Sequence, residues 1–275
     1  MLISFLQLTN PPSKPRQESS ILLFVRQFFK FTTACLITLH STILNIAKSI
    51  INPLLDFIYP PVCISCNTPL PDRSQKICLN CWSAIPALTK DHSLYQKTRA
   101  ILLAEGCIDD LISCYVFERE GPFQYIAHAL KYQEYKSFGV ELGKQIGGLV
   151  LDWNVETDII VPVPLHRIRH RERGYNQSEF IAQGIALIIG KPIIVDAVRR
   201  TRHTQTQTKL NLEERYKNMK DAFETLPGAS KKLYGKTCLL VDDIITTGAT
   251  TNSCAREILV AGAKSIIAAS VALAK

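Results

Sequence analysis

The chain has 275 residues, of which 47% are hydrophobic and 20% are charged. This composition excludes an intrinsically disordered or low-complexity protein, and the length allows one large domain or two smaller ones. The formal net charge is +8, and the excess is concentrated in residues 164–177 and 199–209. Clustered basic residues favour a polyanionic ligand, either a phosphorylated small molecule or a nucleic acid, over a merely solvated charged face.

Residues 1–53 are predicted to be an N-terminal extension. Residues 31–47 contain no Asp, Glu, Lys or Arg, and as a helix they would span about 26 Å, slightly less than the ~30 Å hydrocarbon core of a bilayer. A membrane span would export everything downstream by the positive-inside rule. We therefore expect an amphipathic helix within residues 21–58 that docks on the body, on a partner or on a membrane surface. A start codon assigned too early is the alternative.

Residues 54–90 are predicted to be a zinc ribbon, because they contain two CxxC pairs separated by eleven residues. Two such pairs can complete a tetrahedral shell of four thiolates around a structural Zn²⁺, formed by Cys63, Cys66, Cys78 and Cys81. A disulfide pairing is the alternative, but thiolate zinc sites are typical of reducing compartments, which favours a cytoplasmic protein. The other cysteines are interpreted as small buried hydrophobic residues: Cys35, Cys107, Cys114, Cys238 and Cys254.

From residue 91 to residue 275 the pattern predicts one α/β domain. Apolar, β-branched segments alternate with amphipathic helical segments, which indicates a doubly wound parallel sheet with right-handed crossovers. The predicted strands are 111–118, 158–164, 192–198, 236–243 and 265–273. The predicted helices are 122–133, 138–152, 178–190 and 250–263. Such sheets bind ligands beyond the carboxyl ends of their strands, where residues 161–167 and 241–250 fall.

The segment "CLLVDDIITTGAT", residues 238–250, predicts a binding site for a sugar phosphate. A loop of small residues that leads into a helix offers free backbone N–H groups and the positive end of the helix dipole, which suits a phosphomonoester. Gly248 allows the backbone to approach the phosphate. The carboxylates of Asp242 and Asp243 are placed to accept hydrogen bonds from vicinal sugar hydroxyls, or to hold Mg²⁺ through water.

This segment resembles the phosphoribosyl pyrophosphate (PRPP) binding motif of type I phosphoribosyltransferases. Together with "VPVPLHRIRHRERGYNQSEFIA" (161–182), "RRTRHTQTQTKLNLEERYKNMKDAF" (199–223), the four cysteines and "ALKYQEY" around Lys131, it resembles the ComF family of competence proteins. The resemblance covers residues 54–275. It implies a type I phosphoribosyltransferase-like parallel sheet with a small N-terminal zinc ribbon.

The resemblance also implies roles for individual residues. Asp242 and Asp243 would contact the ribose hydroxyls, and the 5-phosphate would lie in a loop made of Ile245, Thr246, Thr247, Gly248, Ala249 and Thr250. The pyrophosphate would lie at Pro164, Leu165, His166 and Arg167, where Arg167 and Mg²⁺ stabilise the leaving charge. Residues 199–223 would form a lid carrying Arg200, Arg202 and Gln207, or else an ordered polar loop with one helix.

Three functions are compatible with these features. The first is a phosphoribosyltransferase that uses PRPP and Mg²⁺ with an unknown acceptor. The second is a protein that binds PRPP without catalysis, since a binding loop alone does not make an enzyme. The third is an accessory protein in competence that contacts single-stranded DNA or a helicase partner. The acid pair favours the first two. The oligomeric state is not predicted.

Overall fold

The computed structural model describes residues 59–71, 75–121, 123–131, 136–201 and 222–275. The N-terminal extension, including the predicted helix within residues 21–58 and Cys35, lies outside these ranges. So do two of the predicted lid residues, Arg202 and Gln207. Within the described ranges, every helix is too short or too polar to pass through a lipid bilayer.

Eight helices and six strands are assigned in the described residues. The helices are α1 (Leu79–Ser83), α2 (Ser93–Ala104), α3 (Phe123–Ala129), α4 (Lys136–Asp152), α5 (Arg167–Arg173), α6 (Gln177–Ile189), α7 (Ala229–Leu233) and α8 (Ala249–Val260). The strands are β1 (Asp110–Phe117), β2 (Ile159–Pro162), β3 (Val198–Arg200), β4 (Phe223–Thr225), β5 (Thr237–Ile245) and β6 (Ser265–Ala274).

The main sheet has four parallel strands in the order β1-β6-β5-β2. Its strands are apolar along their length, as expected for a sheet that is covered on both faces. The side chains of β5 alternate between two apolar cores: Leu239 and Val241 pack with α4 and α6, whereas Cys238 and Leu240 pack with α2 and α8. The sheet therefore has helices on both faces, and the predicted doubly wound α/β architecture is confirmed.

Four of the five predicted strands correspond to β1, β2, β5 and β6, but the prediction of one strand over residues 192–198 was wrong. Ile193 forms only a single parallel bridge to Ile160 at the edge of β2. The chain then bends at residues 195–197, where Asp196 forms an ion pair with Lys232. Residues 198–200 instead form β3, which pairs antiparallel with β4, so the predicted lid begins and ends in a two-stranded ribbon.

Helices α4 and α6 cross at very close range. A Cβ atom built on Gly143 would lie 2.0 Å from the carbonyl oxygen of Ile181, and one built on Gly184 would lie 2.0 Å from the carbonyl oxygen of Val140. Only glycine permits such backbone contact. The crossing fixes the position of α6, and with it the residues at the N-terminus of that helix.

Candidate functional site

The four cysteines of the CxxC pairs lie together. Their sulfur atoms are all within 4.8 Å of one another, and those of Cys66 and Cys78 are 3.6 Å apart. A tetrahedral zinc ion with Zn–S bonds of about 2.3 Å places its sulfurs about 3.8 Å apart. The cluster of Cys63, Cys66, Cys78 and Cys81 therefore fits one structural zinc ion.

Backbone amides and a hydroxyl surround these sulfurs. The Cys78 N–H donates to the Cys63 sulfur (3.3 Å), and the Cys81 N–H donates to the Cys78 sulfur (3.4 Å). Hydrogen bonds with the side chain and then the backbone of Thr68 lower the pKa of Cys66 to about 6. Donors of this kind favour the thiolate, which is the form that binds metal.

The zinc ribbon packs against the sheet domain through an aromatic contact. The Trp82 ring lies edge-on to Tyr115 of β1 (5.8 Å between centroids) and to Phe138 of α4 (5.9 Å). Backbone pairing extends the contact, because the Leu88 N–H donates to the Cys114 carbonyl at 2.8 Å. The ribbon is thus attached to the outer edge of β1, which lies three strands away from β2 in the sheet.

A cleft of about 200 Å³ lies at the carboxyl ends of β2 and β5, which are neighbouring strands. The segments that line it are the chain after β2, the end of α5, the start of α6, β3, the end of β5 and the first turn of α8. The lining residues are Val163, Pro164, Leu165, Arg173, Gln177, Ser178, Arg200, Asp242, Asp243, Ile244 and Thr250. This is the edge at which open parallel sheets bind ligands.

Asp242 and Asp243 form part of the floor of the cleft, and both are half-buried. Each accepts the backbone N–H of the next residue, at 2.9 Å for Asp242 and 2.7 Å for Asp243. Burial, and then the neighbouring Asp243 carboxylate, raise the pKa of Asp242 to about 8, and the charge of Arg200 opposes this shift. Carboxyl groups with such raised pKa values are concentrated at functional sites.

The loop after β5 leads into the N-terminus of α8. Gly248 is the N-cap residue, with a φ of 77°, and has no side chain to cap the helix, although the Thr247 hydroxyl accepts the Ala249 N–H at 3.4 Å. A Cβ at this position would lie 2.5 Å from the Leu102 side chain, so both the conformation and the space require glycine. Thr246 is exposed and Thr250 is half-buried. The uncapped N–H groups, the helix dipole and these hydroxyls together suit an anion.

The basic segment after β2 was not among the predicted helices, and it forms the short helix α5. His166 is its N-cap, because the His166 Nδ1 accepts the Ile168 N–H at 3.3 Å. Arg167, at the start of the helix, is exposed, whereas Arg173, at its end, is half-buried and lines the cleft. Gly174, with a φ of 72°, ends the helix. The helix therefore brings its last arginine, rather than its first, to the cleft.

The next helix, α6, begins at the cleft. Asn176 is its N-cap: its Oδ1 accepts the Ser178 N–H (3.2 Å), and its Nδ2 donates to the Val163 carbonyl (3.1 Å). This second bond attaches the helix start to the chain leaving β2. Gln177 and Ser178, which are only 2% and 4% exposed, line the cleft.

Arg200 contributes to the cleft from β3. Its guanidinium lies 5.5 Å from the centroid of the Phe223 ring on the paired strand β4. Burial lowers the pKa of Arg200, and the charge of Asp242 opposes this shift. One cation is therefore placed within electrostatic reach of the acid pair.

The structure brings together only part of the predicted site. The predicted residues in the cleft lining are Pro164, Leu165, Arg200, Asp242, Asp243 and Thr250. Ile245 ends β5, Thr246, Thr247 and Gly248 form the loop, and Ala249 begins the helix α8 that contains Thr250. His166, Arg167 and Lys131 are described but are not among the lining residues, and Lys131 is exposed. Their roles, like those of Arg202 and Gln207, stay predictions.

Five lining residues were not predicted: Val163, Arg173, Gln177, Ser178 and Ile244. One sequence signal could have indicated two of them. Asn176 is a favoured N-cap residue and precedes an apolar periodic run, which indicates that a helix starts at residue 177. A helix that starts soon after β2 places its first residues at the ligand-binding edge of the sheet.

Two protein families match the chain. The phosphoribosyl transferase domain matches residues 159–275, from β2 to the end of β6, and the double zinc ribbon domain matches residues 54–92. The cleft and three strands of the parallel sheet lie in the first segment, and the cysteine cluster lies in the second, whereas β1 lies between them. The chain is therefore of the class that joins a phosphoribosyltransferase-like α/β domain to an N-terminal zinc ribbon, as predicted.

Named relatives make the family more specific. Competence protein F of Haemophilus influenzae is 35% identical over 109 residues, which are 40% of this chain and 47% of that protein. DNA utilization protein YhgH of Escherichia coli is 33% identical over 151 residues, 53% of this chain and 64% of that protein. The alignments span less than two thirds of either relative. With the two domain matches, they confirm the resemblance to the ComF family.

A solved structure shows a more limited likeness. Glutamine phosphoribosylpyrophosphate amidotransferase from Bacillus subtilis, complexed with ADP and GMP, is 22% identical over 48% of this chain and 25% of its own. The TM-score is 0.33, which is too low to carry an argument.

Proposed function

We propose that the chain binds PRPP in the cleft and, with Mg²⁺, transfers its phosphoribosyl group to an acceptor yet to be identified. The observation that carries this proposal is the position of the acid pair, Asp242 and Asp243, in a cleft shared with the N-termini of α6 and α8. Carboxylates accept hydrogen bonds from hydroxyls, whereas helix N-termini attract anions. The arrangement suits a sugar with an anionic group at each end.

In this proposal each part of PRPP has its own contacts. Asp242 and Asp243 accept hydrogen bonds from the 2- and 3-hydroxyls of the ribose, and residues 245–250 hold the 5-phosphate. Residues 164–167 follow β2 and contact the pyrophosphate, as the resemblance implies. The half-buried Arg200 supplies positive charge from β3.

The transfer breaks the bond between C1 of the ribose and the pyrophosphate oxygen, which leaves with the electron pair. An acceptor lone pair forms the new bond to C1. Arginine side chains and helix N-termini in the cleft stabilise the charge that develops on the leaving oxygens, and the acid pair orients the ribose. Mg²⁺, bound with PRPP, would neutralise further charge on the pyrophosphate.

Ligand-dependent melting tests the binding step. PRPP with Mg²⁺ at about 100 times its dissociation constant should stabilise the protein by about 2.7 kcal/mol. The double variant Asp242→Asn with Asp243→Asn should lose this shift. Asp91→Asn is the matched control, because Asp91 is an exposed acid outside the cleft lining. A wild-type melt that PRPP leaves unchanged contradicts the proposal.

Pyrophosphate release tests the transfer step. Wild-type protein is incubated with PRPP, Mg²⁺ and a library of bases and amines, and pyrophosphate is measured. Release that depends on one acceptor supports a phosphoribosyltransferase. PRPP binding without acceptor-dependent release supports the alternative, a protein that binds PRPP without catalysis.

A second candidate function is that of an accessory protein for DNA uptake in competence, which contacts single-stranded DNA or a helicase partner. The observation that favours it is the exposed basic surface of α5, where Arg167, His170 and Arg171 are all exposed. Retention of a labelled single-stranded oligonucleotide on a filter should then fall steeply with salt. It should also fall in Arg167→Ser with Arg171→Ser, and stay unchanged in the Asp242 and Asp243 variants. Loss in the acid-pair variants instead would contradict DNA binding at α5.

A further inference from the structure

One polar side chain in the wall of the cleft is buried without a hydrogen-bond partner. Gln177 is 2% exposed, and within the described part of the chain its Nε2 makes no hydrogen bond. Buried amides in native proteins are nearly always paired, because an unpaired amide has lost its water without gaining a replacement. The carboxamide of Gln177 therefore calls for a partner that binds in the cleft.

The position of Gln177 indicates what that partner is. It is the first residue of α6, a helix of 13 residues, so the positive end of the helix dipole faces the same space. Arg173 and Ser178 line the cleft beside it. Thr250 lines the cleft from the first turn of α8, the helix that follows β5. If the 5-phosphate lies at α8, the second anionic end of the ligand lies at α6.

We propose that Gln177 is a substrate-binding residue that donates a hydrogen bond to the pyrophosphate of PRPP, and that it thereby distinguishes PRPP from ribose 5-phosphate. This inference rests on the proposed function. A half-turn about χ3 exchanges the amide oxygen and nitrogen, so the N–H can face the cleft without movement of the backbone. A neutral donor is suited to this position because Arg173 and Arg200 already supply positive charge.

The assignment differs from the one that the sequence predicted. The resemblance placed the pyrophosphate at Pro164, Leu165, His166 and Arg167. Of these, Pro164 and Leu165 line the cleft, whereas Arg167, the predicted charged contact, is exposed and not among the described lining residues. Gln177 is held in place by the crossing of α4 and α6 and by the Asn176 cap, whose Nδ2 bonds to the Val163 carbonyl. A fixed buried donor loses less conformational entropy on binding than an exposed arginine does.

Calorimetric titration of the full chain in the presence of Mg²⁺ tests the inference with three ligands. Wild type and Gln177→Leu are each titrated with PRPP, inorganic pyrophosphate and ribose 5-phosphate. We expect the variant to bind PRPP and inorganic pyrophosphate at least about tenfold more weakly, the effect of losing one hydrogen bond to a charged group. Its affinity for ribose 5-phosphate should change by less than about twofold, since that ligand makes no contact with Gln177.

Two further variants control the experiment. Gln183→Leu makes the same change at an exposed position of the same helix, and all three affinities should stay as in wild type. Gln177→Glu places a carboxylate against the pyrophosphate, and it should weaken PRPP binding more than Gln177→Leu does. Thermal melts of all the variants verify that each is folded, and Gln177→Leu should melt no lower than wild type because it removes an unpaired buried amide.

The possible outcomes separate this inference from the proposed function. PRPP binding by wild type that Gln177→Leu and Gln177→Glu leave unchanged overturns the role of Gln177 alone. An equal loss of PRPP and ribose 5-phosphate affinity also overturns it, because a general disturbance of the cleft would give that result. If the wild-type protein does not bind PRPP at all, both the role of Gln177 and the proposed function are overturned.

Discussion

The zinc ribbon and the cleft are held together in opposite ways. All four zinc ligands come from 19 consecutive residues, 63–81, and helix α1, which begins in that segment, buries no residue. The cleft is assembled from six segments between residues 163 and 250, and two apolar cores, one on each face of the sheet, hold those segments in place. The ribbon therefore depends on an ion, whereas the cleft depends on packing.

This difference explains how the two sites should respond to damage. Loss of the ion removes the main stabilising interaction of the ribbon, because so short a segment has little apolar core of its own. The cleft should survive that loss. Conversely, a packing fault between α4 and α6 should disturb the cleft and leave the cysteine cluster intact.

Removal of zinc should have the largest effect, and it should be local. Wild type should contain about one zinc per chain by elemental analysis, and Cys63→Ser with Cys78→Ser should contain none. The ribbon would lose a binding free energy of about 10–16 kcal/mol, so amide protection over residues 61–88 should disappear in hydrogen exchange. Protection in β5 and β6 should persist.

Cys107→Ser is the control for this experiment, because Cys107 is a half-buried cysteine outside the cluster. It should retain the metal. If the wild-type protein contains no zinc, the proposed zinc site is wrong. If the double cysteine variant loses amide protection across the whole sheet, the cleft is not independent of the ribbon.

Gly143→Ala should damage the sheet domain and leave the ribbon intact. The new methyl group would lie 2.0 Å from the Ile181 carbonyl oxygen, so α4 and α6 must separate, at a cost of about 3 kcal/mol. Urea unfolding measures the loss, and zinc content should not change. Gly148→Ala in the same helix meets nothing within 4 Å and should stabilise by up to about 1 kcal/mol. Equal effects of the two substitutions would contradict the close crossing.

Asp242→Asn should raise stability while it weakens PRPP binding. The pKa of Asp242 is raised from 3.8 to about 8, so the contribution of this carboxyl to stability is fully present below about pH 4 and is lost as the pH rises toward 8. The Asn variant should therefore melt above wild type at pH 8, and the difference should shrink toward pH 5. The stability difference between Asp91→Asn and wild type should not depend on pH in this way. If Asp242→Asn melts below wild type at every pH, the ionised Asp242 carboxylate does not destabilise the protein, and the prediction is wrong.

The sequence predicted the features that depend on local pattern. Apolar β-branched runs identify β1, β2, β5 and β6, because a strand covered on both faces must be apolar throughout. The spacing of the cysteines predicts the zinc cluster, since the geometry of each CxxC pair is set within four residues. Asp242 and Asp243 were placed near the carboxyl end of β5 because the apolar run stops there, although β5 itself continues to Ile245.

Features that depend on how distant segments meet were not predicted. Residues 192–198 resemble a buried strand in composition, but the pairing of β3 with β4, more than twenty residues later, diverts the chain away from the sheet. Arg167 and Arg173 lie in the same basic segment, and the sequence pattern does not distinguish them. The formation of α5 leaves Arg167 exposed and brings Arg173 to the cleft. Gln177 reaches the cleft because α4 and α6 cross at two glycines, a contact between residues about forty positions apart.

The order of strands in the sheet bears on how the protein is made. Among the six strands of the described residues β6 comes last in the sequence, yet it lies between β1 and β5, and the hydroxyls of Ser113 and Ser270 meet across 157 residues of chain. During synthesis, β1 and β5 leave the ribosome before β6, the strand that pairs with both of them. The two strands cannot be joined in one sheet until β6 has emerged. Assembly that waits for such distant pairing is slow and leaves strand edges exposed. The nascent chain should therefore need protection from aggregation until its final strand is inserted.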